Sequence, residues 1–165
     1  MVIIFNLDVY KVETIGDAYM VVSGVPTPNG DDHASQIADM ALHLLHGIYK
    51  VFTCRHNNKK VQIRIGLHTG PCVSGIVGVK MPRYCLFGST VTYASSMEST
   101  SSPMRIQVSE TTYKLLRKTG QYDLIEREHE HGHSAAKTYW LYGKKGFEPE
   151  LPKLEDWPVI SHTKG

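Results

Sequence analysis

Between Asp32 and Thr53, Ile37, Met40, Ala41, Leu44, Leu45 and Ile48 recur at three- and four-residue spacing, which draws one apolar stripe along a helix. On either side the period changes to two. Upstream, "VYKVETIG" alternates Val9, Lys11 and Glu13 against Tyr10, Val12 and Thr14. Gly16-Asp17 is a turn signal, and "AYMVVSGV" beyond it completes a predicted hairpin. Downstream, "VQIRIGLHTG" sets Val61, Ile63, Ile65 and Leu67 on one face of a strand. A striped helix must bury its stripe, and strands flank it in the chain. The chain therefore reads as alternating strands and helices, of the α+β class.

The remainder keeps the alternation. "PTPNGDD" is a loop before the long helix, and "RHNNKK" ends it. "PCVSGIVG" is a short strand whose glycines permit close backbone approach. A short helix runs from Ser89 or Thr90 to Ser99. "MRIQVS" is a strand, and Ser109 caps the helix "ETTYKLLRKTG", which closes on Gly120. "YDLIERE" and "KTYWLYG" form a final strand pair. Residues 1–147 make one domain, and 148–165, with several prolines and no periodicity, are expected to be a loose tail.

Composition narrows the function. The 165 residues suffice for one domain with its own core. Lys+Arg 18 against Asp+Glu 16 argues against a polyanion-binding face, so nucleic acid is not an expected partner. The apolar runs "MVIIF" and "AYMVVSGV" are too short to span a bilayer, and "MVIIFNLDVY" lacks the features of a secretory leader. A cytoplasmic setting without membrane contact is expected. Cys54, Cys72 and Cys85, odd in number and widely spaced, read as free thiols of a reducing compartment.

Two stretches could carry chemistry. In "KVETIGDAY" a tight hairpin places Asp17 at its exposed tip, with Glu13 back along the strand. Asp17 is either a turn former or a carboxylate held out to a divalent cation, which usually wants a second carboxylate and phosphate oxygens. Asp8 is on the wrong part of the element to be that second group. The other stretch is "RYCLFGSTVTYASSMES", which has neither a cation nor a carboxamide between Gly88 and Met97.

Taken together, "VYKVETIGDAYMVVSGVP", "IRIGLHTGP", "GIVGVKMPRYCLFG" and "TYWLYG" resemble the catalytic domain of guanylate cyclases, in the class III nucleotide cyclase family and closest to receptor-type enzymes. The resemblance implies a ferredoxin-like core: a mixed sheet with helices on one face and a two-stranded C-terminal extension. It implies two domains paired head to tail as a homodimer or heterodimer, with GTP between them and two Mg²⁺ or Mn²⁺ ions held by two aspartates. GTP would be converted to cyclic GMP and pyrophosphate. Carried over residue by residue, Glu13 and Cys85 match the guanine readers, Asp17 matches the second metal aspartate, and Arg105 matches an arginine that reaches the triphosphate. Arg105 could equally be a solvated strand-end charge. A carboxylate suits the guanine N1 and N2 donors and repels the acceptor edge of adenine.

The resemblance breaks at the groups that drive the step. Family members read close to "FGDTVNTASRMES", where this chain has "FGSTVTYASSMES". Thr92 stands at the catalytic Asn position and Ser96 at the catalytic Arg position. His131 and His133 fall where the family carries the lysines of "KGKG". Losing one such donor typically slows the reaction about 10²–10³-fold. The family's first metal aspartate belongs to a strand and helix expected to precede residue 1, so the chain reads as lacking that first strand and helix. His129, His131 and His133 alternate in "EHEHGH" and could be a zinc cluster or a solvent-facing strand end. Two functions follow from the resemblance. One is a guanylate cyclase of weak or lost activity. The other is an inactive cyclase-like domain that pairs with an intact cyclase and lowers its output.

Overall fold

A computed structural model describes residues 7–53, 61–128 and 136–153. The order is β1 (Tyr10–Ile15), β2 (Ala18–Val22), α1 (Asp32–Thr53), β3 (Arg64–Leu67), β4 (Val73–Val77) and β5 (Arg83–Phe87). It continues with α2 (Ser89–Ser99), β6 (Arg105–Ser109), α3 (Glu110–Thr119), β7 (Tyr122–Glu126) and β8 (Thr138–Lys144). The α+β class holds. Strands β3, β6, β8 and β7 form a mixed sheet in that order, and β1–β2 and β4–β5 are separate antiparallel hairpins. Only the β3–β6 pair of the four-stranded sheet is parallel.

The register assigns the two faces of the sheet. Ile65 pairs with Ile106 and Leu67 with Val108 across β3 and β6, and Ile106 and Val108 continue onto Leu141 and Tyr139 of β8. These residues form the core with Ala34, Ala38, Ala41, Leu42 and Leu45 of α1 and Leu116 of α3. The buried centre of α1 thus includes Leu42 and Ala38, each fully buried, whereas Ile37 and Ile48 are only partly buried at its margin. Dispersion and burial along this stripe are what hold the helix on the sheet.

The opposite face carries Gly66, Gln107 and Trp140 in one row. Helix α2 lies here: a Cβ on Gly66 would sit 2.1 Å from the Glu98 backbone nitrogen and 2.4 Å from the Met97 carbonyl carbon. The expectation of helices on one face is therefore corrected. A glycine lets the α2 backbone approach the sheet on the face that α1 and α3 leave open. The expected two-stranded C-terminal extension is β8 with β7, added to the sheet beyond β6.

After β8 the chain turns back along α1. Phe147 meets the His43 ring with centroids 4.9 Å apart, His46 Nδ1 lies 2.6 Å from the Glu150 carbonyl oxygen, and Leu151 packs on the core. Residues 148–153 are thus held against the domain, in contrast to the looseness expected from 148 onward, and 154–165 lie outside the described residues.

Candidate functional site

Hairpin β1–β2 turns on Gly16 and Asp17, with Ile15 paired to Ala18. Gly16 carries φ 62°, the sign that a two-residue turn with glycine first requires. Asp17 is exposed at the tip. The strand behind it is not regular. Lys11 pairs with Val21 but Glu13 pairs with Met20, so Val12 is an extra residue in the ladder. This bulge reverses the alternation predicted for β1. Lys11 falls on the face of Tyr19, with its Nζ 4.3 Å from that ring centroid, while Glu13 is carried to the face of Tyr10 and Met20. Tyr10 in turn meets Tyr84 of β5 edge to face, with centroids 5.7 Å apart. The strand bearing Glu13 is thereby tied to the strand bearing Cys85.

Asp8 is occupied by residues at the start of α1 and in the loop before it. Its carboxylate accepts from Asn29 Nδ2 at 2.8 Å and its backbone nitrogen donates to Gln36 Oε1 at 3.0 Å. Among the described residues no group of three His, Cys, Asp or Glu side chains could hold a metal ion. Asp17 presents an exposed carboxylate of the kind that shares a Mg²⁺ or Mn²⁺ with phosphate oxygens.

Cys85 lies in β5 opposite Gly75, on the same face as Arg83 and Phe87. Its half-buried thiol points at the Arg83 carbonyl oxygen, 3.7 Å away. A Cβ on Gly75 would meet nothing within 4 Å, so the surface across from the thiol is open. Neighbouring Leu86 points the other way and is buried.

Helix α2 follows directly from β5. Gly88, at φ 125°, makes the sharp entry, and no side chain caps the helix start. Thr90 Oγ1 donates to the Pro71 carbonyl oxygen. Thr92 and Ser96 are both exposed and one turn apart, on one face of α2. Met97 is buried beneath them, against Gln107 Nε2 at 3.7 Å. The two side chains are short and neutral, so this face offers hydroxyls where the family pattern has an amide and a cation.

Arg105 is partly buried, its guanidinium 5.4 Å from the Trp140 ring centroid, and burial lowers its pKa from the ordinary arginine value. It is therefore packed against a tryptophan rather than a freely solvated strand-end charge. Sequence reasoning did not single out Arg127, which lies 5.0 Å from the same ring. Its Nη1 donates to the Thr100 carbonyl oxygen at 2.7 Å and to Gln107 Oε1 at 2.8 Å. A cation thus closes the C-terminal end of α2, where the helix dipole favours it. An arginine at the outer end of "YDLIERE", with a tryptophan in the partner strand, was the available signal. His131, with the other two residues of the proposed histidine cluster, lies outside the described residues.

A family model described as "Adenylate and Guanylate cyclase catalytic domain" matches residues 2–143. Guanylate cyclase 32E of Drosophila melanogaster is 55% identical over 151 residues, which are 90% of this chain and 13% of that protein. Human retinal guanylyl cyclase 1 is 52% identical over 167 residues, 99% of this chain and 15% of that protein. The chain thus spans about a seventh of the length of these relatives. Among solved structures, the guanylate cyclase domain of RhGC from Catenaria anguillulae in complex with GTP superposes with a TM-score of 0.70 at 36% identity. That match covers 82% of this chain and 73% of that one. A dimeric guanylyl cyclase domain of the RhoGC fusion protein from Blastocladiella emersonii matches with a TM-score of 0.68 at 35% identity, over 82% and 72% of the two chains.

Proposed function

The chain belongs to the adenylate and guanylate cyclase catalytic domain family, and we propose that it is a guanylate cyclase domain that recognises GTP but turns it over weakly or not at all. The observation that carries the recognition is the bulge at Val12. It moves Glu13 off the Lys11 face and onto the face of Tyr10, whose ring ties this strand to β5, the strand that carries Cys85. Glu13 accepts from the guanine N1 and N2 donors, and the Cys85 thiol donates toward O6. Asp17 holds a divalent cation against the phosphates. Arg105, fixed by Trp140, adds positive charge on the triphosphate side.

The weakness of turnover follows from α2. Thr92 and Ser96 face outward from a firmly seated helix, so the deficit is in their chemistry rather than in their exposure. A threonine hydroxyl cannot replace both ends of an amide, and a serine cannot neutralise a phosphate oxygen. A cytoplasmic setting, where GTP is available, and pairing with a second cyclase domain go with this reading.

The test is nucleotide binding by the purified chain with Mn²⁺. Fluorescent GTP should bind at least about tenfold more tightly than fluorescent ATP, a difference of one good polar contact. Glu13→Lys with Cys85→Asp should reverse that preference. A double variant that still prefers GTP would show that the base is read elsewhere.

A further inference from the structure

We propose that Tyr93 and His68 form the pin that fixes helix α2 on the sheet, which makes Tyr93 a positioning residue for the side chains at 92 and 96. The rings lie 4.3 Å apart between centroids and 35° from parallel. His68 immediately follows β3, and its Nδ1 is 2.8 Å from Ser109 Oγ and 3.3 Å from Thr111 Oγ1. Ser109 Oγ is itself the N-cap of α3, accepting from the Thr112 backbone nitrogen. The plane of the imidazole is therefore set by the start of α3, and its face sets the tyrosine. Burial lowers the His68 pKa, which keeps a neutral stacking ring at neutral pH.

Helix α2 needs such a pin. Its N-cap is a glycine with no side-chain hydrogen bond, and its first turn holds no acidic residue to favour the dipole. The C-terminal half is seated by Met97 in the sheet face and by Arg127 at the helix end. The N-terminal half has the Thr90 bond to Pro71 and the Tyr93 ring. Tyr93 stands where the family pattern quoted above has a threonine, which carries no ring. This anchor is thus a feature of the present chain. Tyr93 neighbours Thr92 in sequence and is three residues from Ser96, so any roll of α2 about its axis would move both.

The functional half of the inference rests on the reading of α2 as the helix that faces the triphosphate; the contact itself does not. Both are tested in the full chain. Ser96→Arg should raise the affinity for GTP relative to guanosine about tenfold, the worth of one charge-assisted contact. Adding Tyr93→Ala should abolish that gain, and adding Tyr93→Phe should keep it. The preference for GTP over ATP should stay unchanged in all three, since the base readers are on the hairpins. Amide exchange across 90–97 should quicken about tenfold or more in Tyr93→Ala and in His68→Ala, but not in Tyr93→Phe.

Unchanged exchange in Tyr93→Ala overturns the pin, as does equal loss of base preference and triphosphate affinity, which would mark a general loss of structure. If Ser96→Arg brings no gain while exchange still quickens in Tyr93→Ala, the pin stands and the reading of position 96 fails. Tyr93→Thr, the family residue, replaces Tyr93→Ala if the alanine variant does not fold, with the same outcomes.

Discussion

Asp39 joins three elements through one carboxylate. Lys144 of β8 reaches its two oxygens at 2.9 and 2.7 Å, and the Tyr122 hydroxyl of β7 donates to Oδ1 at 2.8 Å. The ammonium also sits 5.2 Å from the Tyr122 ring centroid. The pair is only 24% and 22% exposed, so it is screened less than a surface ion pair. Asp39→Ala would leave a half-buried ammonium without its carboxylate and the Tyr122 hydroxyl with the Ser35 carbonyl oxygen at 3.3 Å. It should lower stability by about 1–3 kcal/mol in urea unfolding, and a change within error would show that water replaces the carboxylate. The same group gives an alkaline limit. Burial, helped by the hydrogen bond to Asp39, raises the Tyr122 pKa above the ordinary tyrosine value. A raised folded-state pKa means full stability below about pH 10 and a loss as pH climbs beyond it. Tyr122→Phe should flatten that decline, and an identical alkaline profile in the two proteins would assign it to other groups.

Helix α3 was legible end to end, because its signals are local. Ser109 accepts from the Thr112 nitrogen and Gly120 adopts φ 64°, as the sequence indicated for a cap and a stop. The bounds of α1 and α2 also agree with those read from spacing and composition. Strand β5 was not assigned. "RYCLF" is one apolar run ending at a helix start, and only its pairing with β4 defines it. The Val12 bulge was equally hidden, since an extra residue leaves the composition of a strand unchanged and shows only against its partner. Of the candidate site, the resemblance supplies the proposed identities, whereas the face on which Glu13 stands and the contacts of Arg127 and Tyr93 needed the tertiary packing. The side of the sheet that holds α2 turns on a single glycine. Gly66→Ala would drive a methyl into the Met97–Glu98 backbone, which cannot move without lifting the helix. A loss of several kcal/mol, or a folded protein with α2 amides unprotected, is expected. Wild-type stability and protection in that variant would contradict the close approach.

At the scale of the whole molecule, the β4–β5 hairpin is poorly covered. Val73 is 69% exposed, Ile76 74%, Met81 74% and Val79 fully exposed, with Val77 and Phe87 about half exposed beside them. Val73, Val77 and Phe87 lie on the Cys85 face of the hairpin and Ile76 on the Tyr84 face, and a monomeric domain rarely leaves so much apolar surface on one hairpin. Both functional readings have a domain that pairs, and the inhibitory one is tested through this hairpin. A mixed dimer with an intact receptor-type guanylate cyclase would contain one composite site in which this chain contributes Thr92 and Ser96 instead of an amide and a cation. Such pairing should lower the partner's output. Co-expression is therefore expected to reduce cyclic GMP production by the intact enzyme, and Ile76→Glu should relieve the reduction, because a carboxylate buried in an apolar interface is strongly disfavoured. Pairing demonstrated by co-purification without any fall in cyclic GMP would reject the inhibitory role. Undiminished pairing in Ile76→Glu would move the interface away from this hairpin.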